Sequence, residues 1–184
     1  WTMSIAVSAN PSIVPSGYDF TCVKNQVHWV GLMSYDLHGS WDAFAAGSTT
    51  MEDNVPNCCA LGLPCCVSYK NFYGEGADGY WTEGTGSDYF HDKFSIKDAT
   101  DMWVAGGIPK NQMVIGLATY GRTQRLTTDK TSLGDPTSGP GWAGAYTLEA
   151  GFLSYFEILG GFPKSTWHYN DEGKFLWASD CKQT

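Results

Sequence analysis

Residues 27–41 read VHWVGLMSYDLHGSW, and this stretch decides the fold. Its first part, residues 27–35, is a nearly continuous apolar run of strand length, the pattern of a parallel strand buried on both faces. It passes straight into Asp36-Leu37-His38-Gly39-Ser40-Trp41, where carboxylate, imidazole and indole crowd together. Parallel α/β folds build their sites at the carboxyl ends of strands, so the junction is a fold signal and a site candidate at once.

Upstream, residues 1–9 (WTMSIAVSA) predict another strand, closed by Asn10-Pro11, then a loop through Pro15-Ser16-Gly17 and a short helix over 19–25. Downstream, Ser95 is placed to cap a helix in which Ile96, Ala99, Met102 and Trp103 recur at helical spacing. Gly106-Gly107 and Pro109 end it. Residues 113–117 (MVIGL) predict a third buried strand that runs on through Ala118-Thr119 to end in Tyr120 and Arg122. Strand, loop, strand, loop plus helix, strand is the rhythm of parallel βα units, and the fold class it predicts is α/β. After Arg125 the texture changes. Residues 127–144 are rich in Gly, Pro, Thr and Ser, residues 147–159 predict a short helix, and Trp167-His168-Tyr169 and Phe175-Leu176-Trp177 predict antiparallel strands. A separate small α+β module from about residue 123 is expected, and no internal repeat is evident.

The balance of 11 Lys and Arg against 19 Asp and Glu, net −8, argues against nucleic acid, whose phosphates require clustered cations. No apolar run reaches the roughly 18 residues of a membrane span. The chain opens on Trp1 inside an apolar stretch, so it is expected to be cut at the front. Four of the six cysteines, Cys58, Cys59, Cys65 and Cys66, share one turn-rich loop, with Cys22 and Cys181 outside it. That pattern favours stapling disulfides and an oxidising, extracellular compartment; a zinc site is the competing reading, although two vicinal pairs lack the usual spacing of structural zinc ligands.

Alternation along the second strand sends Met33 and Tyr35 to one face and leaves Asp36 at the strand's mouth. Tyr120 and Arg122 are likewise two apart, and Trp41 is near. Flat rings with a carboxylate and a guanidinium suit a sugar, whose apolar faces stack and whose hydroxyls take hydrogen bonds. Simple core packing of Met33, Tyr35 and Tyr120 is the alternative.

WVGLMSYDLHGSWD (29–42) resembles the sixth-strand signature of glycoside hydrolase family 18, the chitinases and chitinase-like lectins. GIPKNQMVIGLATYGR (107–122) is similar to the seventh strand and its approach, and Gly139-Pro140-Gly141 with TLEAGFLSYFE (147–157) to the family's α+β insertion. WTMSIAVSA followed by Gly17-Tyr18 fits the fifth strand. Residues 43–94 fall outside the resemblance; His28 stands where the family has Asp, and Ala118 where it has Pro.

The resemblance implies a partial (β/α)8 TIM barrel, about strands 5 to 7, over residues 1–122, with a chitinase insertion domain over 123–184 that is truncated at its end. It implies that Met33, Tyr35 and Asp36 line the subsite of cleavage, Tyr35 orienting the substrate's N-acetyl group. Trp41 would stack on the leaving-group side, Tyr120 and Arg122 would bind hydroxyls or acetamide, and Glu149 would reach over from the insertion. The substrate's own acetamide oxygen serves as nucleophile in this family, with retention and with no metal or organic cofactor. The protonating acid belongs to an Asp-x-x-Asp-x-Asp-x-Glu motif that this sequence does not contain. A secreted chitinase of β-1,4-linked N-acetylglucosamine polymers is therefore expected, needing the N-terminal half of its barrel. A lectin for chitin oligosaccharides on the same scaffold is the alternative.

Overall fold

The computed structural model describes residues 1–11, 13–42, 45–49, 51, 95–127, 133, 135–171 and 174–179. In chain order the elements are β1 (Ser4–Ser8), α1 (Val14–Gly17), α2 (Phe20–Gln26), β2 (Trp29–Met33), α3 (Ile96–Ala105), β3 (Met113–Ile115), β4 (Tyr120–Arg122), β5 (Gln124–Leu126), β6 (Thr137–Pro140), β7 (Phe152–Ser154), α4 (Tyr155–Gly161), β8 (Trp167–Asn170) and β9 (Phe175–Ala178). β1, β2 and β3 form a parallel sheet in that order, with Ala6 opposite Gly31 and Gly31 opposite Val114. Three antiparallel pairs follow, β4 with β7, β5 with β6 and β8 with β9.

Local chemistry sets the helix ends. Asp19 caps α2 by accepting from the Cys22 N–H at 2.9 Å, and the Ser95 hydroxyl caps α3 by accepting from the Asp98 N–H at 3.0 Å. Just past α3, Gly107 adopts φ 101°, a left-handed turn in which glycine carries no Cβ penalty. The face of the sheet bearing Val7, Ala9, Val30 and Leu32 packs with Val14, Ala99, Trp103 and Ile108 into the core. Trp103 is wholly buried between the edges of Tyr18 and Phe20, at 5.0 and 5.1 Å, and its indole N–H donates to the Ser8 carbonyl at 2.9 Å. Truncating so large a buried ring typically costs about 3–5 kcal/mol.

The opposite face, carrying Trp29, Met33 and Val114, is exposed. The expected burial of β2 on both faces is corrected to alternating burial, because among the described residues the helices cover one face of the sheet only. The strand ends at Met33, but its continuation is held. Ser34 Oγ donates to the Gly116 carbonyl at 2.8 Å, and the Gly116 N–H donates to the Leu32 carbonyl at 2.9 Å. A Cβ on Gly116 would lie 2.6 Å from the Leu32 oxygen and 2.9 Å from the Tyr35 ring, so glycine is what lets Tyr35 settle there.

Two further expectations are corrected. Tyr120 and Arg122 do not end the third parallel strand; they belong to β4, which pairs with β7 through Tyr120 opposite Ser154 and Arg122 opposite Phe152. Residues 147–159 are not one helix either. Leu148 (φ 56°) and Gly151 (φ 84°) leave the right-handed region, β7 intervenes, and α4 starts only after Ser154. The antiparallel pairing of β8 with β9 agrees with the sequence pattern, and His168 stacks on Trp177 at 4.3 Å.

Glu157 organises this region. Its carboxylate accepts from the N–H groups of Tyr146 (2.7 Å), Thr147 (3.2 Å) and Ser154 (3.0 Å) and from the Ser154 hydroxyl (2.7 Å), a capping box with three extra donors. Desolvation pushes its pKa up, but these donors outweigh it and lower the pKa to about 2. A depressed carboxyl adds stability that is complete above its unfolded pKa and fades as pH falls through the folded value. Glu157→Gln is therefore expected to lower the thermal midpoint near neutral pH, and the deficit should shrink as pH falls toward about 2. A deficit independent of pH in calorimetric scans would contradict this role.

Cys22 is an exposed free thiol, whereas Cys58, Cys59, Cys65, Cys66 and Cys181 lie outside the described residues, as do Tyr80 and Trp81. Among the described residues no group of three or more His, Cys, Asp and Glu is placed to hold a metal ion, and no helix is long and apolar enough to cross a membrane.

Candidate functional site

Asp36 follows β2 in the left-handed region, φ 59°, a conformation that a short polar side chain tolerates. Bent out of the strand line there, its carboxylate meets β4. Arg122 grips it with two hydrogen bonds, Nε to Oδ1 at 2.7 Å and a terminal nitrogen to Oδ2 at 2.6 Å. The Tyr120 hydroxyl donates to Oδ1 at 2.7 Å. The forked geometry of guanidinium on carboxylate is what lysine cannot reproduce.

The protonation states follow. Burial pushes the Asp36 pKa up, but the hydrogen bonds from Arg122 and Tyr120 and the guanidinium charge outweigh it and hold the carboxyl below its ordinary 3.8. Burial raises the Tyr120 phenol, and its bond to the Asp36 carboxylate raises it further, so it stays a hydrogen-bond donor. Arg122 is raised chiefly by its hydrogen bond to Asp36. Asp36 is thus an ionised acceptor and organiser; it holds no proton to give near neutral pH.

Aromatic surface surrounds this trio. The guanidinium carbon lies 5.5 Å from the Trp41 ring centre, 5.5 Å from that of Tyr120 and 5.4 Å from that of Phe152. Tyr35 meets Tyr120 edge-on at 6.0 Å, and its hydroxyl has no hydrogen-bond partner among the described residues. Trp41 is 40% exposed, so part of its ring stands open at the surface. Of the sequence candidates, Tyr35, Asp36, Trp41, Tyr120 and Arg122 form one cluster. Glu149 stands at its rim, 3.9 Å from Arg122 and largely exposed. Met33 shows its side chain on the open face of β2, two residues before Tyr35.

Sequence reading missed the supports behind the cluster. Contacts of Gly116, Asp42, Gln124 and Thr137 hold the backbone that carries Tyr35 and Trp41. Only the polar Gln124, placed two residues past Arg122, offered a signal.

The sequence matches glycosyl hydrolases family 18 over residues 1–184. The chain belongs to that family. Probable chitinase 10 of Drosophila melanogaster is 30% identical over 176 residues, covering 94% of this chain and 6% of the fly protein. Human chitinase-3-like protein 2 is 27% identical over 156 residues, 85% of this chain and 33% of the relative. The crystal structure of an immunomodulatory active chitinase from Trichuris suis, TsES1, superposes with TM-score 0.73 at 27% identity, covering 99% of this chain and 42% of that one. The chain thus spans a third or less of these curated relatives and under half of the solved chain.

Proposed function

We propose that the complete protein hydrolyses β-1,4-linked N-acetylglucosamine polymers with retention, and that residues 1–184 supply its sugar-binding and acetamide-orienting side. One observation carries this: the Arg122-locked Asp36, the Tyr35 and Tyr120 hydroxyls and the half-open Trp41 converge on one surface. Trp41 stacks on a sugar on the leaving-group side, while Asp36, Tyr120, Arg122 and Glu149 take hydroxyls and acetamides. Met33 and Tyr35 line the subsite of cleavage. There the Tyr35 hydroxyl holds the N-acetyl group so that its carbonyl oxygen attacks the anomeric carbon as the glycosidic bond breaks. The proton for the departing oxygen comes from a carboxylic acid outside these residues, since the sequence lacks the Asp-x-x-Asp-x-Asp-x-Glu motif. In this reading residues 1–122 are part of a (β/α)8 barrel completed by an N-terminal half, residues 123–184 are its insertion, and the protein is secreted with a disulfide-stapled cysteine loop. Chemistry is organised by these side chains with no metal or organic cofactor.

The same cluster favours a second reading, a lectin for chitin oligosaccharides, because the Asp36 carboxyl is held ionised and the Tyr120 phenol keeps its proton. Function follows from the site and not from the fold. Incubating the complete protein with N-acetylglucosamine oligomers separates the two. Binding with release of shorter β-anomeric products supports the hydrolase, binding without cleavage the lectin, and absence of binding overturns both.

A further inference from the structure

Trp41 does not hold its own position. The segment around it turns on Gly39 and Asp42: the Asp42 N–H donates to the Gly39 carbonyl at 3.0 Å, and Asp42 Oδ2 accepts from the Gly39 N–H at 2.9 Å. The same oxygen lies 3.3 Å from His38 Nδ1, and both side chains are buried. A Cβ on Gly39 would come within 2.5 Å of the Trp41 ring, so the indole rests directly on that glycine's backbone.

Behind the turn stands the β5–β6 pair. Gln124, 3% exposed, donates its amide N–H to the Gly39 carbonyl, and its amide oxygen accepts from the Ala46 N–H at 3.4 Å. This orientation of the amide satisfies both partners, and the flipped one satisfies neither. The Thr137 hydroxyl donates to the Asp42 carbonyl at 2.9 Å, and the Asp135 carbonyl accepts from the Ala45 N–H at 2.9 Å. Gly39 is therefore gripped at its carbonyl by Gln124 and carries the Trp41 ring against its Cα. A stacking ring that is fixed before its ligand arrives loses less side-chain freedom on binding.

We propose that Gln124 is a positioning residue for carbohydrate recognition: through the Gly39 backbone it holds the Trp41 ring in its stacking orientation, so that the β5–β6 pair sets the leaving-group side of the site. The ligand class, a pyranose chain of N-acetylglucosamine, rests on the function proposed above; the positioning of the ring does not.

The test uses the complete protein labelled with fluorotryptophan. Gln124→Met keeps the side chain's size and removes both hydrogen bonds; Thr137→Val loosens the same turn from β6 and serves where Gln124→Met does not fold. In fluorine NMR without sugar, the Trp41 line, assigned by its loss in Trp41→Phe, should shift or broaden in either variant. An unmoved line overturns the proposal, whatever the protein binds. With an N-acetylglucosamine oligosaccharide, calorimetry should give about tenfold weaker binding for Gln124→Met, equivalent to about 1.4 kcal/mol. The same change made in Trp41→Ala should cost nothing further, because the ring it positions is gone. Additive losses would make Gln124 a general structural residue and overturn its positioning role. If unaltered protein binds no such sugar while the Trp41 line still moves, the proposed function fails and the positioning stands.

Discussion

Asp36→Asn in the complete protein should weaken binding of N-acetylglucosamine oligosaccharides by about tenfold and release the Tyr120 phenol to ionise at lower pH. Asn keeps the volume but offers one acceptor oxygen where Arg122 and Tyr120 require two. Hydrogen bonds to charged groups are worth about 1.5–3 kcal/mol in general. The carboxylate is 36% exposed and the guanidinium 19%, so solvent screening puts the loss at the low end of that range, about 1.5 kcal/mol. The Tyr120 shift needs no ligand. Burial raises that phenol first, and the carboxylate's hydrogen bond and charge raise it further, so removing the carboxylate lowers its pKa. A difference ultraviolet titration that finds no tyrosine moved would contradict the trio. In the unaltered protein the sign runs the other way with acid. Asp36 lies below its ordinary 3.8 when folded, so its contribution is complete above that value and fades only as pH falls through the lowered one.

Tyr35→Phe should cut turnover by about 10–1000-fold, the range for losing one oriented transition-state hydrogen bond. Substrate affinity should change much less, because the ring and its contacts with Tyr120 and Gly116 remain. Steady-state kinetics on an N-acetylated oligomer reads both numbers, and unchanged turnover would remove Tyr35 from the chemistry. If the protein binds without cleaving, the same substitution should narrow its preference for acetylated over deacetylated oligomers, and an unaltered preference would dismiss the acetamide contact.

Much of this was legible in the chain. The Ser95 cap, the Gly106-Gly107 stop and the Ile96, Ala99, Trp103 spacing are local signals, and α3 follows them closely. The strands over 4–8, 29–33 and 113–115 were legible because their apolar runs are short and bounded by turn residues. Burial was not: residues 27–35 form a nearly continuous apolar run, and only the one-sided cover of helices shows which residues alternate out. Helical spacing over 147–159 misled for a different reason. Period says nothing of backbone sign, and Leu148 and Gly151 turn left-handed to let β7 pair with β4.

By itself the sequence determined the α/β character and the order of its strands, and it named the candidate site residues, since these depend on side-chain type and spacing within short segments. Only the tertiary structure decided that Asp36 is a clamped anion, that Tyr120 and Arg122 reach it from another sheet, and that Gln124 stands behind Trp41. Those pairs are separated by more than eighty residues. Hydrogen bonds act over about 3 Å, and no local pattern records which distant donors the folded chain will bring that close.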